Sequence, residues 1–450
     1  MTGRTRVSAG VGRGGEAEPA VARRPGAARR VREVGGRARG TRAGDGEPRG
    51  AGDGSRAREL VTLAGWLAAA RKRAGLHPLF PRAAAIGVAA ALAVPALAEP
   101  PWRWQLPPGM PAPQVPADNP MSARKVELGR RLFYDARLSS TGAYACASCH
   151  QQARAFTDGR AHAVGATGTL HPRSAMSLAN VAYNARFGWE DPDTASLEAQ
   201  AAIPMLNTAP IELGVAGNEA RILAALQRDR FYAREFPRVF PEAERGFTLA
   251  HVQKAIATFE RTLISGRSAY DRAVYADDAS ALSPLARRGL RLFTSPELAC
   301  STCHGGPAFA GDGASFHNNG LVRFAAVAEL PRSGQGLFAR TSRPEDAGRF
   351  RAPGLRNIAL TAPYMHDGRL ATLRDVLAHY ASGGARSPHQ SERVRGFMLN
   401  DDDADALVAF LEALTDQEFV RDARFADPWA REGPEARPVS ASALRTPRTR

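Results

Sequence analysis

The sequence predicts an all-α chain of two similar halves with long irregular loops, and three observations predict it. The only four cysteines of 450 residues fall in two copies of one pattern, Cys146-Ala147-Ser148-Cys149-His150 and Cys300-Ser301-Thr302-Cys303-His304. A helix-like segment of one design leads into each copy. No stretch alternates apolar and polar residues for long enough to build a sheet.

The Cys-x-x-Cys-His pattern reads as a c-type haem attachment site. Two thiols at this spacing add to the porphyrin vinyl groups as thioethers, and the adjacent histidine is then held where it binds iron as the proximal ligand. A single copy would also suit a redox dithiol or half a zinc site. Two copies with no cysteine to spare favour haem and leave none for a disulfide, so the haems must tie down the loops around them. The expected class is all-α, with two tandem cytochrome c-like haem domains.

Residues 1–98 carry 18 Lys and Arg against 7 Asp and Glu, a net of +11 out of the chain's +15. The basic excess therefore belongs to the amino terminus and does not point to nucleic acid. Met1 to Arg58 is rich in Gly, Ala and Arg without hydrophobic period, a composition expected of disordered or untranslated sequence. Arg71-Lys72-Arg73, an apolar run from Ala83, and the small residues Ala96-Leu97-Ala98 then form the three regions of a secretory signal peptide. The 16 residues from Ala83 to Ala98 are too few and too Ala-rich for a stable span of a bilayer core of ~30 Å. The mature chain is expected to begin near Glu99, in the periplasm.

"NPMSARKVELGRRLFYD" from Asn119 and "SPLARRGLRLFTS" from Ser283 are weak copies of each other. Each opens with a capping residue before Pro and carries Gly, then Leu-Phe: Gly129, Leu132, Phe133 and Gly289, Leu292, Phe293. Each reads as a helix entering a haem loop. The glycine either marks a close helix contact or is neutral. Between the copies, Thr248 caps a helix with Leu249, Val252, Ile256, Phe259 and Leu263 on one stripe and Gly266 as stop, expected to bridge the two halves. Thr372 caps another, with Leu373, Val376, Leu377 and Tyr380 on one face and His379 turned about 100° away. In "DDDADALVAFLEALTD" the acids suit the first turn of a helix, and Leu407, Phe410, Leu411 and Leu414 share a face. The expected organisation is a disordered extension plus signal peptide over 1–98, haem domains over 99–270 and 271–427, and a disordered basic tail over 428–450.

As a set, "NPMSARKVELGRRLFYD", "CASCHQQARAFTDGR", "MSLANVAYNARFGWED", "SLEAQAAIPMLN", "FERTLISGRSAYDR", "FHNNGL" and "FRAPGLRNIALTAPYMHDG" resemble the bacterial dihaem cytochrome c peroxidase superfamily, and within it the MauG and MbnH branch. The resemblance covers nearly all of Glu99 to Asp416. It implies two covalent c-type haems, on Cys146, Cys149 and His150 and on Cys300, Cys303 and His304, with hydrogen peroxide as oxidant. It implies a distal pocket of Gln200, Pro204 and Glu212 that leaves the first iron open, with Glu212 carrying a proton between the peroxide oxygens. Trp189 would relay electrons between the haems. Read without the resemblance, Glu212 is a surface acid and Trp189 core filling.

The second iron offers a choice among Met365, His366, His379 and Tyr380. Ordinary members of the family place a Met fourteen residues after the His of the HDG-type motif, and MauG-like members a Tyr. Fourteen residues after His366 stands Tyr380. A thioether favours ferrous iron and a phenolate favours ferric and higher states, so Tyr380 suits a stored oxidising equivalent. Met365 is then expected to pack, His366 to support the second haem, and His162 and His171 to be solvated loop histidines instead of sixth ligands. A calcium ion between the haems would draw on the Thr361 and Pro363 carbonyls, but Ser174 stands where many relatives have an Asn ligand. Leu298 stands where MauG has a surface Trp, so the electron route to the partner must differ.

The leading expectation is a periplasmic oxidoreductase that activates hydrogen peroxide and oxidises a tryptophan of an MbnP-like protein. The rival is a peroxidase drawing electrons from a small cytochrome or cupredoxin. A dihaem electron carrier without catalysis is the third, which an open distal site would exclude.

Overall fold

A computed structural model describes residues 100–430. The expected extension and signal peptide lie outside the described residues, as does 431–450 of the expected tail. The described residues form eleven α-helices, a series of single 3₁₀ turns, and one antiparallel pair of three-residue strands, Phe316–Asn318 with Arg349–Arg351. The mostly helical expectation holds. Strands so short leave no periodic trace in a sequence.

The helix Ala123–Phe133 starts at Ser122, whose hydroxyl accepts from Lys125 N, and not at Asn119. Asn119 is instead wholly buried and donates to the Lys254 carbonyl and to Glu198. Pro284–Thr294 starts as read, with Ser283 as cap and Pro284 in the first turn.

The two glycines do mark close contacts. A methyl group on Gly129 would overlap the Ala255 carbonyl, and one on Gly289 the Ala406 carbonyl, so Ala123–Phe133 lies directly on Leu249–Glu260 and Pro284–Thr294 directly on Asp401–Glu412. Next to each crossing sits a trio of phenylalanines. Phe133 meets Phe156 and Phe259 edge to face at 6.1 and 5.3 Å, and Phe293 meets Phe309 and Phe410 at 6.0 and 5.1 Å. Each trio sits in its own hydrophobic cluster.

Leu249–Glu260 does not bridge these clusters. It ends at Glu260, before Leu263 and Gly266, and its buried face belongs to the first cluster. The joint is the segment after it. Asp416, 1% exposed, accepts from Ser265 Oγ, Gly266 N, Arg267 N and Phe419 N. Asn180 and Asn357, both with left-handed φ near +60°, close on Ser265 from either side. A buried bidentate pair, Arg356 with Asp271, lies alongside. Phe419, Val420 and Phe425 then return to the first cluster. The expected tail does not begin at 428, because Pro428 and Trp429 are buried in a short 3₁₀ turn and Trp429 lies under the Arg131 guanidinium at 4.8 Å.

Candidate functional site

Cys146–Cys149 is one helical turn and Cys300–Thr302 one 3₁₀ turn. In both, the histidine that follows donates its backbone N–H to the first cysteine's carbonyl at 3.0 Å. His150 Nδ1 then meets the Phe156 carbonyl at 2.9 Å, and His304 Nδ1 meets those of Phe309 at 3.3 Å and Pro353 at 3.1 Å. A ring nitrogen facing only carbonyls must carry the proton, so Nε2 keeps its lone pair, the form that binds iron. Burial depresses both histidines' pKa and favours that neutral state. Phe156 and Phe309 reach this position with φ of +63° and +54°. Such backbone costs ~1–3 kcal/mol and persists where surrounding structure demands it.

Burial pushes the Cys149 and Cys300 thiols up to about 11 and Cys146 higher still, the opposite of the depressed pKa of a reactive redox dithiol. Among the described residues no group of three His, Cys, Asp or Glu side chains is arranged to hold a metal ion.

Around the second motif lies a cleft of about 1520 Å³, part of it open to solvent. Cys300, Cys303 and His304 line it over apolar side chains such as Phe293, Leu377 and Leu407. The helix Leu373–Ala381, capped by Thr372, turns Leu373, Val376, Leu377 and Tyr380 into the cleft. His379 is not in the lining; its Nε2 is bound to the Asn319 carbonyl at 3.0 Å. Met365 and His366 do line it. His366 is 3% exposed, stacks on Phe350 at 3.6 Å, and has no hydrogen-bond partner for Nε2, which lies 3.9 Å from Asp367 Oδ2. Asn319 joins two of the candidates, its amide nitrogen lying 3.4 Å from both Met365 Sδ and the Tyr380 hydroxyl. Burial raises the Tyr380 pKa and this amide opposes the rise. Asn319 stands in the FHNNGL stretch that carries part of the family resemblance, but that stretch assigned it no role.

The first site is assembled by a loop folding back on a helix. Leu213 N and Val215 N donate to the Pro204 and Met205 carbonyls, both at 2.9 Å, which draws Glu212 against the end of Leu197–Leu206. Pro204 has no N–H, so the Gln200 carbonyl one turn earlier loses its helical partner. The structure thus gathers Gln200, Pro204 and Glu212, and Glu212 is near enough to Cys146 and Cys149 to raise both their pKa values. Burial pushes Glu212 itself up to about 7. His162 is exposed, as expected. His171 is not a solvated loop histidine: it is half-buried, with Nε2 3.9 Å from Glu212 Oε1.

A smaller cavity of about 700 Å³ shares Trp189, Arg351 and Met365 with the large cleft. Trp189 donates to the Ser174 carbonyl at 3.0 Å and meets His366 edge to face at 6.5 Å. Ser174, Thr361 and Pro363 also line this cavity. The Ser174 hydroxyl already donates to the Met365 carbonyl, no carboxylate lines the cavity, and the buried Arg351 is there, so it fits calcium poorly. Arg351 also lines the larger cleft beside Cys300, Cys303 and His304, its Nη1 buried without an acceptor, and haem held in that cleft would bring two carboxylates.

A family model described as di-haem cytochrome c peroxidase matches residues 123–279. The chain is 39% identical over 334 residues to the cytochrome-c peroxidase IdrP1 of Denitromonas iodatirespirans, covering 68% of this chain and 85% of that protein. It is 38% identical over 312 residues to the methylamine utilization protein MauG of Methylorubrum extorquens, covering 69% of this chain and 83% of that protein. It also superposes, with a TM-score of 0.69 and 39% identity, on the crystal structure of a MauG-like protein associated with microbial copper homeostasis, over 73% of this chain and 99% of that one.

Proposed function

This chain belongs to the di-haem cytochrome c peroxidase family, and on that premise we propose that it is an exported enzyme that activates hydrogen peroxide at the His150 site and oxidises a tryptophan of a partner protein. As a member of the family it is a dihaem oxidoreductase. The proposal adds covalent attachment through Cys146, Cys149, Cys300 and Cys303, tandem haem domains, a periplasmic location and the protein substrate. The recurrence of Gly129 and Gly289, of the two phenylalanine trios, and of Phe156 and Phe309 on the proximal histidines supports the tandem reading.

One observation carries the choice of substrate. Tyr380, and not a methionine, is the residue that its helix turns into the cleft that holds His304. Bound there, haem supplies iron that takes up oxidising equivalents, and an anionic oxygen ligand favours its oxidised states. The chain's own residues do the rest. Nδ1 of each proximal histidine is fixed on a carbonyl. Asn319 holds the Tyr380 hydroxyl and the Met365 sulfur in place. Glu212 takes a proton from one peroxide oxygen and returns it to the other. Trp189 lines the His304 cleft and the smaller cavity beside it, whose Met176 backbone lies against His150, and is assigned the path for electrons between the sites.

The rival, peroxide reduction with electrons from a small redox protein, is favoured by Met365 lining the same cleft and by the peroxidase name of the IdrP1 relative. Substitution of Tyr380 separates the two. Tyr380→Met is expected to keep both haems and the fold, to raise the second haem's potential, and to abolish oxidation of a co-purifying partner protein, read by peptide mass spectrometry. Partner oxidation at the wild-type rate in Tyr380→Phe would reduce Tyr380 to packing and return the choice to Met365.

A further inference from the structure

His171 has no part in the chemistry proposed above, yet the loop that carries it sets its ring beside Glu212, 3.9 Å from Oε1. Its backbone N–H donates to the Ala163 carbonyl at 2.8 Å, just beyond the bridge between Val164 and Leu170. The same loop is clamped to the Glu212 segment. Ala166 N donates to the Glu212 carbonyl at 2.6 Å, and a methyl group on Gly165 would overlap the Ile211 carbonyl.

The ring is aimed as well. His171 Nδ1 accepts the Arg173 backbone N–H at 3.2 Å. In a neutral ring whose Nδ1 accepts, the proton sits on Nε2, and Nε2 lies 3.9 Å from Glu212 Oε1. Burial and the Arg173 charge keep the ring neutral, pulling its pKa down to about 4. Arg173 cannot swing away, since it is held bidentate by Glu190 and lies 5.0 Å over the Phe350 ring.

We propose that His171 is a positioning residue for Glu212, whose Nε2–H closes on the carboxylate when Glu212 has given up its proton and holds it ready to take the next one. It holds and does not relay, because Nδ1 is occupied by a backbone N–H and offers no exit. The other groups facing the pair are few. Asn207 bonds Glu212, Cys146 and Cys149 lie beside it, and Arg173 and His162 act on His171. Of these, Asn207 offers the carboxylate an N–H, whereas the Arg173 guanidinium is committed to Glu190.

The inference rests on the proposed role of Glu212, and one set of variants of the holoenzyme tests both. The protonated Glu212 carboxyl is followed by infrared difference spectroscopy against pH in the resting enzyme, its band identified by its loss in Glu212→Gln. Removing a donor from a carboxylate favours its protonated form, so His171→Leu is expected to lower the Glu212 ionisation constant on the order of 10-fold, moving the band to higher pH. The pH dependence of peroxide consumption should move with it. His171→Gln, which keeps an N–H, should restore both. If Glu212→Gln slows peroxide consumption but His171→Leu leaves band and pH profile where they were, the inference fails and the Glu212 role stands. If Glu212→Gln changes neither band nor rate, the Glu212 role itself is lost. A low-spin EPR signal of the resting enzyme that disappears in His171→Leu would make His171 an iron ligand and overturn the proposal.

Discussion

Glu212 is a half-buried carboxyl whose pKa burial raises from 4.5 to about 7 while Asn207 opposes the shift. To take a proton from peroxide it must start ionised. Peroxide consumption is therefore expected to rise with pH through about 7 and then level, and in Glu212→Gln to be ~10²- to 10⁴-fold slower without that limb, at unchanged haem content. Stopped-flow absorbance across pH checks it, and an unaltered rate removes Glu212 from the site. The same shift carries a stability sign. Folding raises this pKa, so the carboxyl's contribution is complete below pH 4.5 and is lost as pH rises through about 7.

At the scale of elements, two helix pairs repeat one contact. Replacing a helical glycine by alanine ordinarily stabilises by about 0.5–1 kcal/mol. At Gly129 and Gly289 the added methyl would meet the backbone carbonyls of Ala255 and Ala406, and overpacking costs typically ~1–3 kcal/mol. The helices cannot part without opening the phenylalanine trio beside them, so the clash wins. Gly129→Ala and Gly289→Ala should each lower the urea midpoint, and a rise in either would mean that its helix pair is not in backbone contact.

At the scale of the whole described chain, the two hydrophobic clusters meet at a polar joint centred on Asp416. Four donors converge on that one buried carboxylate. Asp416→Ala strands them at ~1–3 kcal/mol for each that finds no other acceptor, so a loss of at least roughly 3 kcal/mol is expected in equilibrium unfolding. A loss under about 1 kcal/mol would mean that water replaces the carboxylate there. The proposed attachment and export are also properties of the whole chain. Intact mass of the protein recovered from the periplasm should match a chain beginning near Glu99 with two haems bound, and a mass lacking them ends the dihaem reading for this protein.

The sequence by itself determined the two attachment motifs, the capped helices from Ser283, Thr248 and Thr372, and the amphipathic face that turns Tyr380 and not His379 toward the cleft. These are local features: a short spacing, a cap, a 3.6-residue period, all readable without knowing what packs against them. Ser122 displaced Asn119 as a cap because Asn119 was wanted elsewhere, on Glu198 and Lys254, partners 79 and 135 residues away. Only the tertiary structure could decide that, and likewise that the two glycines touch a carbonyl, that Ser265 and Asp416 make the joint in place of the preceding helix, and that Trp429 returns to the first half. His171 and Asn319 belong to this second kind. Each is an ordinary polar residue in a loop until the fold sets it beside Glu212 or Tyr380, because hydrogen-bond partners are chosen by distance in space and burial, and neither leaves a period in the chain.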